Sequence, residues 1–386
     1  VKRHPDSDVD TAARTLVASH GAAPARALVA NLQTRMALLD YGGEMLPASV
    51  NDGKPGNTGN SGNSGNAGNS GNAWVCSPLS TYWSYAAEEL MRYAGLFWTG
   101  PLRLLCSAYG RLLRWADIDR AVAVNNWLVS TNLYPALDEA ALSALLDQAR
   151  QRWPAHALWF RSLNDVQHRD WLAALRARGF VLIPTRQVYL FDDIAACIGR
   201  HGDMRRDMKL LRKTRLTRLD GGPSGTLSAA DYERIAALYG LLYLDKYSRL
   251  NPQYSARLLQ EWHSAGLLRF DGFRGADGCL LAVVGMFNQR GVITAPIVGY
   301  DTALPQSLGL YRLLMACVFD AALDSGASVN LSAGAAHFKR QRGGRPALEY
   351  SAVLATNMPR KTRCALALLS FFTTRLGVAI MKRFKL

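Results

Sequence analysis

Residues 299–350 read GYDTALPQSLGLYRLLMACVFDAALDSGASVNLSAGAAHFKRQRGGRPALEY. A strand ending at Val298, a loop, a helix from about Leu308 to Ser325 and a short strand over Val329 to Ser332 follow from this pattern. Gln306-Ser307-Leu308-Gly309 then falls at a helix start, where backbone N–H groups lack partners and the dipole is positive, a cradle for phosphate or carboxylate. Gly309 admits a close backbone approach. Asn330 and Ser332, two apart at the strand end, are predicted to share one face and to hydrogen-bond substrate or the strand's own edge. Beyond Gly334-Ala-Ala, Lys339, Arg340, Arg342 and Arg345 put four cations in seven residues beside Gly343 and Gly344. That density is expected to bind an anion rather than merely solvate a surface.

Working outward, Leu267 to Arg274, Cys279 to Asn288 and Val292 to Val298 read as antiparallel strands joined at Gly275-Ala-Asp-Gly278 and Gln289-Arg-Gly291. Ser228 to Tyr247 reads as one helix with a capping box of Ser228 and Asp231. Tyr239, Tyr243 and Tyr247 make one stripe of it, and Lys246, Tyr247, Ser248 and Asn251 at its end are polar enough to line an acceptor pocket. Arg205, Lys209 and Arg212 share a face of a basic helix over Asp203 to Thr214, suited to tRNA, a coenzyme phosphate, a lipid head group or plain solvent. Earlier, Leu137 to Arg150 and Asp170 to Arg178 read as helices, Ala157 to Ser162 as a buried strand, and Phe180 to Phe191 as strand bent at Pro184. The predicted class is α/β (α+β), with mixed central sheets flanked by helices. The expected division is a helical segment over 1–50, a flexible insert over 51–73, units over 74–202 and 203–356, and a basic amphipathic helix over 357–386. The insert contains six G-N-x triplets from Gly56 to Ala73, without apolar side chains.

The whole chain has 386 residues, 49% apolar, with 45 Lys and Arg against 30 Asp and Glu, a net charge of +15. It is long enough to fold without disulfides or a metal. Six cysteines without a CxxC pair and seven histidines without an HExxH pattern argue against a metal site. The missing G-x-x-x-x-G-K-[ST] and G-x-S-x-G disfavour a nucleotide hydrolase and a serine hydrolase. Neither Leu90 to Cys106 nor Cys364 to Met381 reaches the roughly 20 uninterrupted apolar residues of a spanning helix. Residues 357–386 hold seven Lys or Arg and no acid, so this helix suits an anionic membrane surface or a docked position with a solvated basic face. Val1-Lys-Arg-His-Pro-Asp lacks the apolar run of a signal peptide, giving a cytoplasmic expectation, peripheral to the inner membrane face if the helix engages lipid.

The segment 203–355 resembles the GNAT acyltransferase superfamily, in which a Q/R-x-x-G-x-G/A turn holds the pyrophosphate of acyl-coenzyme A. Gln306 and Gly309 match; Tyr311 stands where Gly or Ala is usual. The wider pattern resembles the FemAB-type branch and the aminoacyl-tRNA–protein transferases. It comprises Tyr300-Asp301, the Ser307-Leu-Gly309 turn, the following helix and strand, a glycine-rich loop to Lys339, then Pro346 and Glu349. The resemblance implies a doubled GNAT fold, with the first half a degenerate copy.

The activity it implies is N-acyl transfer to an amine by direct transfer in a ternary complex, without a covalent enzyme intermediate. Asp301 would act as base or amine-orienting group, Tyr300 as proton donor and Lys339 as a further catalytic cation. Gln306, Ser307, Gly309, Arg340 and Arg342 would hold the donor, and Asn330, Ser332, Lys246, Tyr247 and Arg212 the substrate. The donor is an acyl thioester of coenzyme A or a carrier protein, or alternatively charged tRNA, and no metal is implied. A small-molecule or peptide amine is the acceptor. A non-enzymatic nucleic-acid or membrane-binding role is the remaining alternative, although no helix-turn-helix, RRM or zinc pattern appears.

Overall fold

The first half of the chain carries α1 (Val9–Ala22), α2 (Ala25–Leu28), β1 (Arg35–Tyr41), β2 (Glu44–Asp52), α3 (Ala86–Tyr93), α4 (Thr99–Trp115), β3 (Arg120–Val124), α5 (Glu139–Arg152), β4 (Ala157–Asn164), α6 (Arg169–Ala177) and β5 (Val181–Phe191). The second carries α7 (Ile194–Arg200), α8 (Gly202–Lys213), β6 (Thr217–Gly221), α9 (Ala229–Tyr239), α10 (Ala256–Ser264), β7 (Arg269–Arg274), β8 (Leu280–Gln289), β9 (Val292–Tyr300), α11 (Leu310–Ser325), β10 (Ser328–Asn330), α12 (Ala336–Gln341) and β11 (Arg345–Leu354). The C-terminal helix α13 (Arg360–Phe372) follows. This computed structural model describes residues 9–53, 72–93, 99–221, 227–379 and 381. Most of the predicted Gly-Asn insert, residues 54–71, lies outside the described residues, as does the basic end of the chain from 382.

Among the described residues, eleven strands join one sheet in the order β1-β2-β3-β4-β11-β5-β10-β9-β8-β7-β6. The β3/β4 and β9/β10 pairs are parallel, and the other pairs antiparallel. The chain thus makes the same unit twice: a three-strand meander, a crossover helix, a parallel strand, a short helix and a closing antiparallel strand. The closing strands are exchanged. β5 of the first half lies between β10 and β11, and β11 of the second lies between β4 and β5. The repeat extends to residue geometry. Val124 pairs with Phe160 in the first half as Thr294 pairs with Asn330 in the second. Two residues further, Ser162 (φ 65°) and Ser332 (φ 58°) both adopt the left-handed conformation uncommon for non-glycine residues. The doubled unit and the mixed sheet flanked by helices are as expected from the sequence.

Alternating side chains divide the core into layers. In the first half, Val122, Val124, Leu158 and Phe160 pack under α5 and α6, with Leu142, Leu145 and Leu175. Ala121, Ala123, Ala157 and Trp159 on the opposite face meet Leu113 of α4 and Leu366 and Leu369 of α13. In the second half, Ala282, Val284 and Met286 face α8 and α11, whereas Val283 and Phe287 face α9 and α10.

Three expectations are corrected. Residues 1–50 are not purely helical, because β1 and β2 form a hairpin whose turn is Gly42 (φ 63°) and Gly43 (φ 92°). The units over 74–202 and 203–356 share one sheet and exchange strands rather than standing as separate domains. The predicted helix Ser228 to Tyr247 keeps its capping box but passes at Gly240 into a wider π-helical turn over Gly240–Asp245. Pro184 does mark an irregularity: it lies opposite Tyr350, where the β5/β11 register shifts.

Gly299 shows how tightly α9 lies on β9. A Cβ there would stand 2.5 Å from the Leu238 carbonyl carbon. Gly299→Ala is therefore expected to cost about 1–3 kcal/mol by overpacking, seen as a lower denaturation midpoint in urea. An unchanged midpoint would show that helix and strand are not in such close contact.

Candidate active site

Parallel strands β9 and β10 stay together only as far as Thr294 and Asn330. β9 continues to Tyr300 on its β8 ladder, while the chain after Asn330 leaves it and bonds to Tyr189 of β5. The two therefore diverge. By the far end of β9 opens a cleft of about 530 Å³, lined by Lys246, Tyr300, Asp301, Gln306, Gly309 and Tyr311, among others. Its remaining wall includes Leu241 and Asp245 of the π-helical turn and Arg312.

The floor of the cleft is the start of α11. Gln306–Leu308 form a 3₁₀ turn, Gly309 adopts φ 62°, and no side chain caps the helix. The first N–H groups of a helix have no intrahelical partners, and here no side chain supplies them with one, so they can receive an anion. Beside them Tyr311, half-buried, packs against Phe338 of α12, with ring centroids 4.9 Å apart. Burial among the neighbouring tyrosines pushes its phenol well above the ordinary range. Tyr239 stacks on Tyr243 at 4.8 Å, and Tyr243 meets Tyr247 at 6.1 Å, so the predicted stripe survives the π-helical turn.

Of the residues expected in the site, Tyr300, Asp301, Gln306, Gly309 and Lys246 converge on this cleft. Ser307 is exposed beside it in the 3₁₀ turn, and Tyr247 is an exposed neighbour whose ring lies 5.9 Å from Lys246 Nζ. Asp301 differs from a general base. It accepts from the Ala303 N–H at 3.0 Å and from Arg234 Nη2 at 2.8 Å. These donors hold its carboxyl below the usual range, so it persists as an anion suited to orienting an ammonium or amine.

The basic cluster after Gly334 is built differently from its expected role as a flexible anion clamp. Lys339 sits on α12, buried, and donates to the carbonyls of Leu331 (2.7 Å), Ala333 (2.8 Å) and Ser332 (3.3 Å). Arg340 is part-buried, donates to Gln187 Oε1 at 2.9 Å and lies over the Tyr189 ring. Arg342 is committed to Asp207, 2.5 Å away, and stacks on Phe338, so its guanidinium is not available to a coenzyme. Asn330 is buried and donates to Gln167 Oε1, while its Oδ1 accepts from the Ser332 N–H. Ser332 lies past the end of β10 in a left-handed conformation, so the strand alternation that would have put both on one face does not reach it. Arg212 is on an exposed part of α8, in one solvated stripe with Arg205 and Lys209.

The residue that sequence reasoning missed is Asp207. It is fully buried, and its two oxygens accept from Arg312 Nε (2.6 Å) and Arg342 Nε (2.5 Å), tying α8 to the start of α11 and the end of α12. Arg234, the partner of Asp301, was also missed. The available signal for Asp207 was an acid placed inside a run of seven cations.

The comparisons with known proteins follow from this geometry. No family model matches the sequence, and no curated protein matches it. Among solved structures, the chain is similar to L-PGS from Bacillus licheniformis (12% identity, 65% of this chain, 82% of that one, TM-score 0.45). It is similar also to FemX (10%, 61% and 80%, TM-score 0.44). A tandem GNAT protein from the clavulanic acid biosynthesis pathway is a third (12%, 60% and 75%, TM-score 0.37). At such identities the likeness is one of fold.

Asp207→Ala is expected to destabilise the protein by about 3–5 kcal/mol, because two arginines lose their common buried partner. The exposed Arg206→Ala should change stability by at most about 0.5 kcal/mol. Equal urea midpoints for the two variants would contradict the bridging role. Lys339 gives a pH signature: burial, then the nearby Arg186 cation, draw it down from 10.5 to about 7. Below about pH 7 it is charged in both states, and the fold bears the cost of burying it. Between about pH 7 and 10.5 the unfolded chain binds the proton and the folded chain does not, so stability rises with pH. Wild type should gain on Lys339→Met as pH is raised from 6 to about 9 in parallel urea titrations. A constant difference would mean that the three carbonyls keep the ammonium charged throughout.

Proposed function

We propose that this chain is an N-acyltransferase that moves an acyl group from an activated donor directly to an amine. The observation that carries the reading is the divergence of β9 from β10 beside a cleft floored by an uncapped helix N-terminus. Such an opening suits a donor with an extended arm and an anionic head: the arm along the free end of β9, the anion on the first turn of α11 with Gln306 and Lys246. The carbonyl carbon is attacked by a neutral amine, an oxyanion forms, and its collapse expels a thiol or hydroxyl that must gain a proton. Tyr300 is assigned as the donor of that proton, which is replaced by the proton the attacking nitrogen sheds as the amide forms, and Asp301 as the group that orients the amine. Lys339 acts at one remove, by holding the chain after β10 in the course that keeps the cleft open.

An acyl thioester of coenzyme A or a carrier protein is the first donor reading. Aminoacyl-tRNA is the second, and a specific observation favours it. The half-buried Tyr311 side chain stands against Phe338 at the position where a small residue would let a pyrophosphate settle, and Arg205, Lys209 and Arg212 lie exposed on one side of α8, within reach of a polyanion.

Native mass spectrometry of the protein with acyl-coenzyme A, and separately with bulk charged tRNA, distinguishes the donors. Once a donor is in hand, Tyr300→Phe should lower kcat at least about 100-fold with little effect on KM. Gln306→Ala should raise the donor KM with little effect on kcat. Wild-type kinetics in both variants, with folding intact, would sink the assignment of the cleft.

A further inference from the structure

We infer that α4 and α13 together form a platform that docks the protein on an anionic membrane surface. The two helices adjoin: Thr362 Oγ1 of α13 donates to the Ala116 carbonyl just past α4 at 2.6 Å, and Lys361 Nζ lies 5.3 Å from the Trp115 ring centroid. Each uses one side to cover the first-half sheet, through Leu113 of α4 and Ala365, Leu366 and Leu369 of α13. Each then carries a second apolar stripe at helical spacing, facing outward. On α4 it comprises Leu104 (69% exposed), Leu105 (66%), Leu112 (39%) and Trp115 (59%). On α13 and the π-helical turn after it, it comprises Leu368 (47%), Phe371 (56%), Phe372 (49%) and Leu376 (59%). A helix apolar on two sides needs two apolar partners, and the described residues supply one.

Charge complementarity selects the second partner. α4 contributes Arg103, Arg111 and Arg114, α13 contributes Arg360, Lys361 and Arg363, and Arg375 lies in the turn after it. No acid occurs in either helix or in that turn. A second copy of the same face would set like charges against each other, and a nucleic acid would leave the leucines and phenylalanines uncovered. An anionic bilayer satisfies both parts: aromatic and aliphatic side chains enter the head-group boundary while the cations meet lipid phosphates. This association is peripheral. Among the described residues the stretch long and apolar enough to cross a bilayer is Gln306–Ser325, which contains α11, a buried core helix. The inference is independent of the proposed chemistry.

The test is flotation of the full chain with vesicles of phosphatidylcholine alone and of phosphatidylcholine with phosphatidylglycerol. Binding to the mixed vesicles is expected, weakening about tenfold or more at high salt, when the basic residues are screened. Phe371→Ser with Phe372→Ser, and separately Leu104→Ser with Leu105→Ser, should each lose binding about tenfold or more. These side chains are exposed, so the urea midpoint should stay near wild type. Absence of flotation by wild type, or flotation of both double variants equal to that of wild type, overturns the platform. So does a salt-insensitive dimer in solution that the same substitutions dissociate, which would make the face a contact between copies. Flotation only when RNA is present would assign it to nucleic acid instead.

Discussion

The exchange of the two closing strands is the constraint on which the rest of the structure depends. β5 and β11 pair from Val181/Val353 to Leu190/Arg345, each flanked on its other side by a strand of the opposite half. Neither half can complete its sheet alone, so folding has to bring together strands more than 150 residues apart, a costly loop closure rewarded only once both are in place. An ion pair with a buried carboxylate and a half-buried guanidinium lies on this seam. Arg186 of β5 meets Glu349 of β11 through two contacts (2.8 and 3.2 Å) and donates to the Ser130 carbonyl at 2.6 Å. The pair favours the register that forms it over a slipped one, because an unpaired Glu349 would be left buried without solvent.

The same exchange accompanies the opening in the second half, and in the first half a buried segment occupies the corresponding place. β10 has three residues, and its continuation follows β5 instead of β9. In the first half β3 stops at Val124, turns at Asn125 (φ 53°), and residues 126–135 fold back into the corresponding place. This irregular segment is almost wholly buried, which demands partners for its backbone. Asparagines supply many of them. Asn125 bridges the Leu133 carbonyl and the Trp127 indole; Asn132 Oδ1 accepts from the Trp127 N–H; Asn126 reaches the Val75 carbonyl. The Asn132 N–H bonds to Ser162 Oγ and the Tyr134 hydroxyl to the Arg161 carbonyl, so the segment lies against the end of β4. One copy of the unit is plugged by its own chain, and the other is left open at α11.

Local signals were legible where local chemistry fixes the structure. The Ser228/Asp231 capping box, the turns at Gly278 and Gly291 and the irregularity at Pro184 all follow from side-chain type and spacing. The cleft was legible for the same reason, since Tyr300, Asp301, Gln306 and Gly309 are sequence neighbours on one strand-turn-helix. What sequence could not show is set by partners far along the chain. Arg342 has the appearance of a surface cation in a basic run; its partner Asp207 lies 135 residues away. Lys339 reads in sequence as one of a cluster of anion-binding cations, but a short helix turns its ammonium onto three carbonyls. The hairpin of β1 and β2 was partly readable from Gly42-Gly43, but its strands alternate weakly, with Leu38 and Leu39 adjacent, and helical spacing fitted them as well.

Duplication also explains how the two faces of one sheet came to be covered by unlike elements. In the second half, α9 and α10 cover the face opposite α11 and belong to that half's own chain. In the first half the corresponding task falls to α4, from the long connection between β2 and β3, and to α13, from the far end of the chain. Helices recruited in this way are not bound by the pattern of the repeated unit, in which the outward side is polar. Their outward sides are apolar and cationic instead. The open notch therefore belongs to the repeated scaffold of the second half, whereas the unpartnered apolar face belongs to what was added around the first.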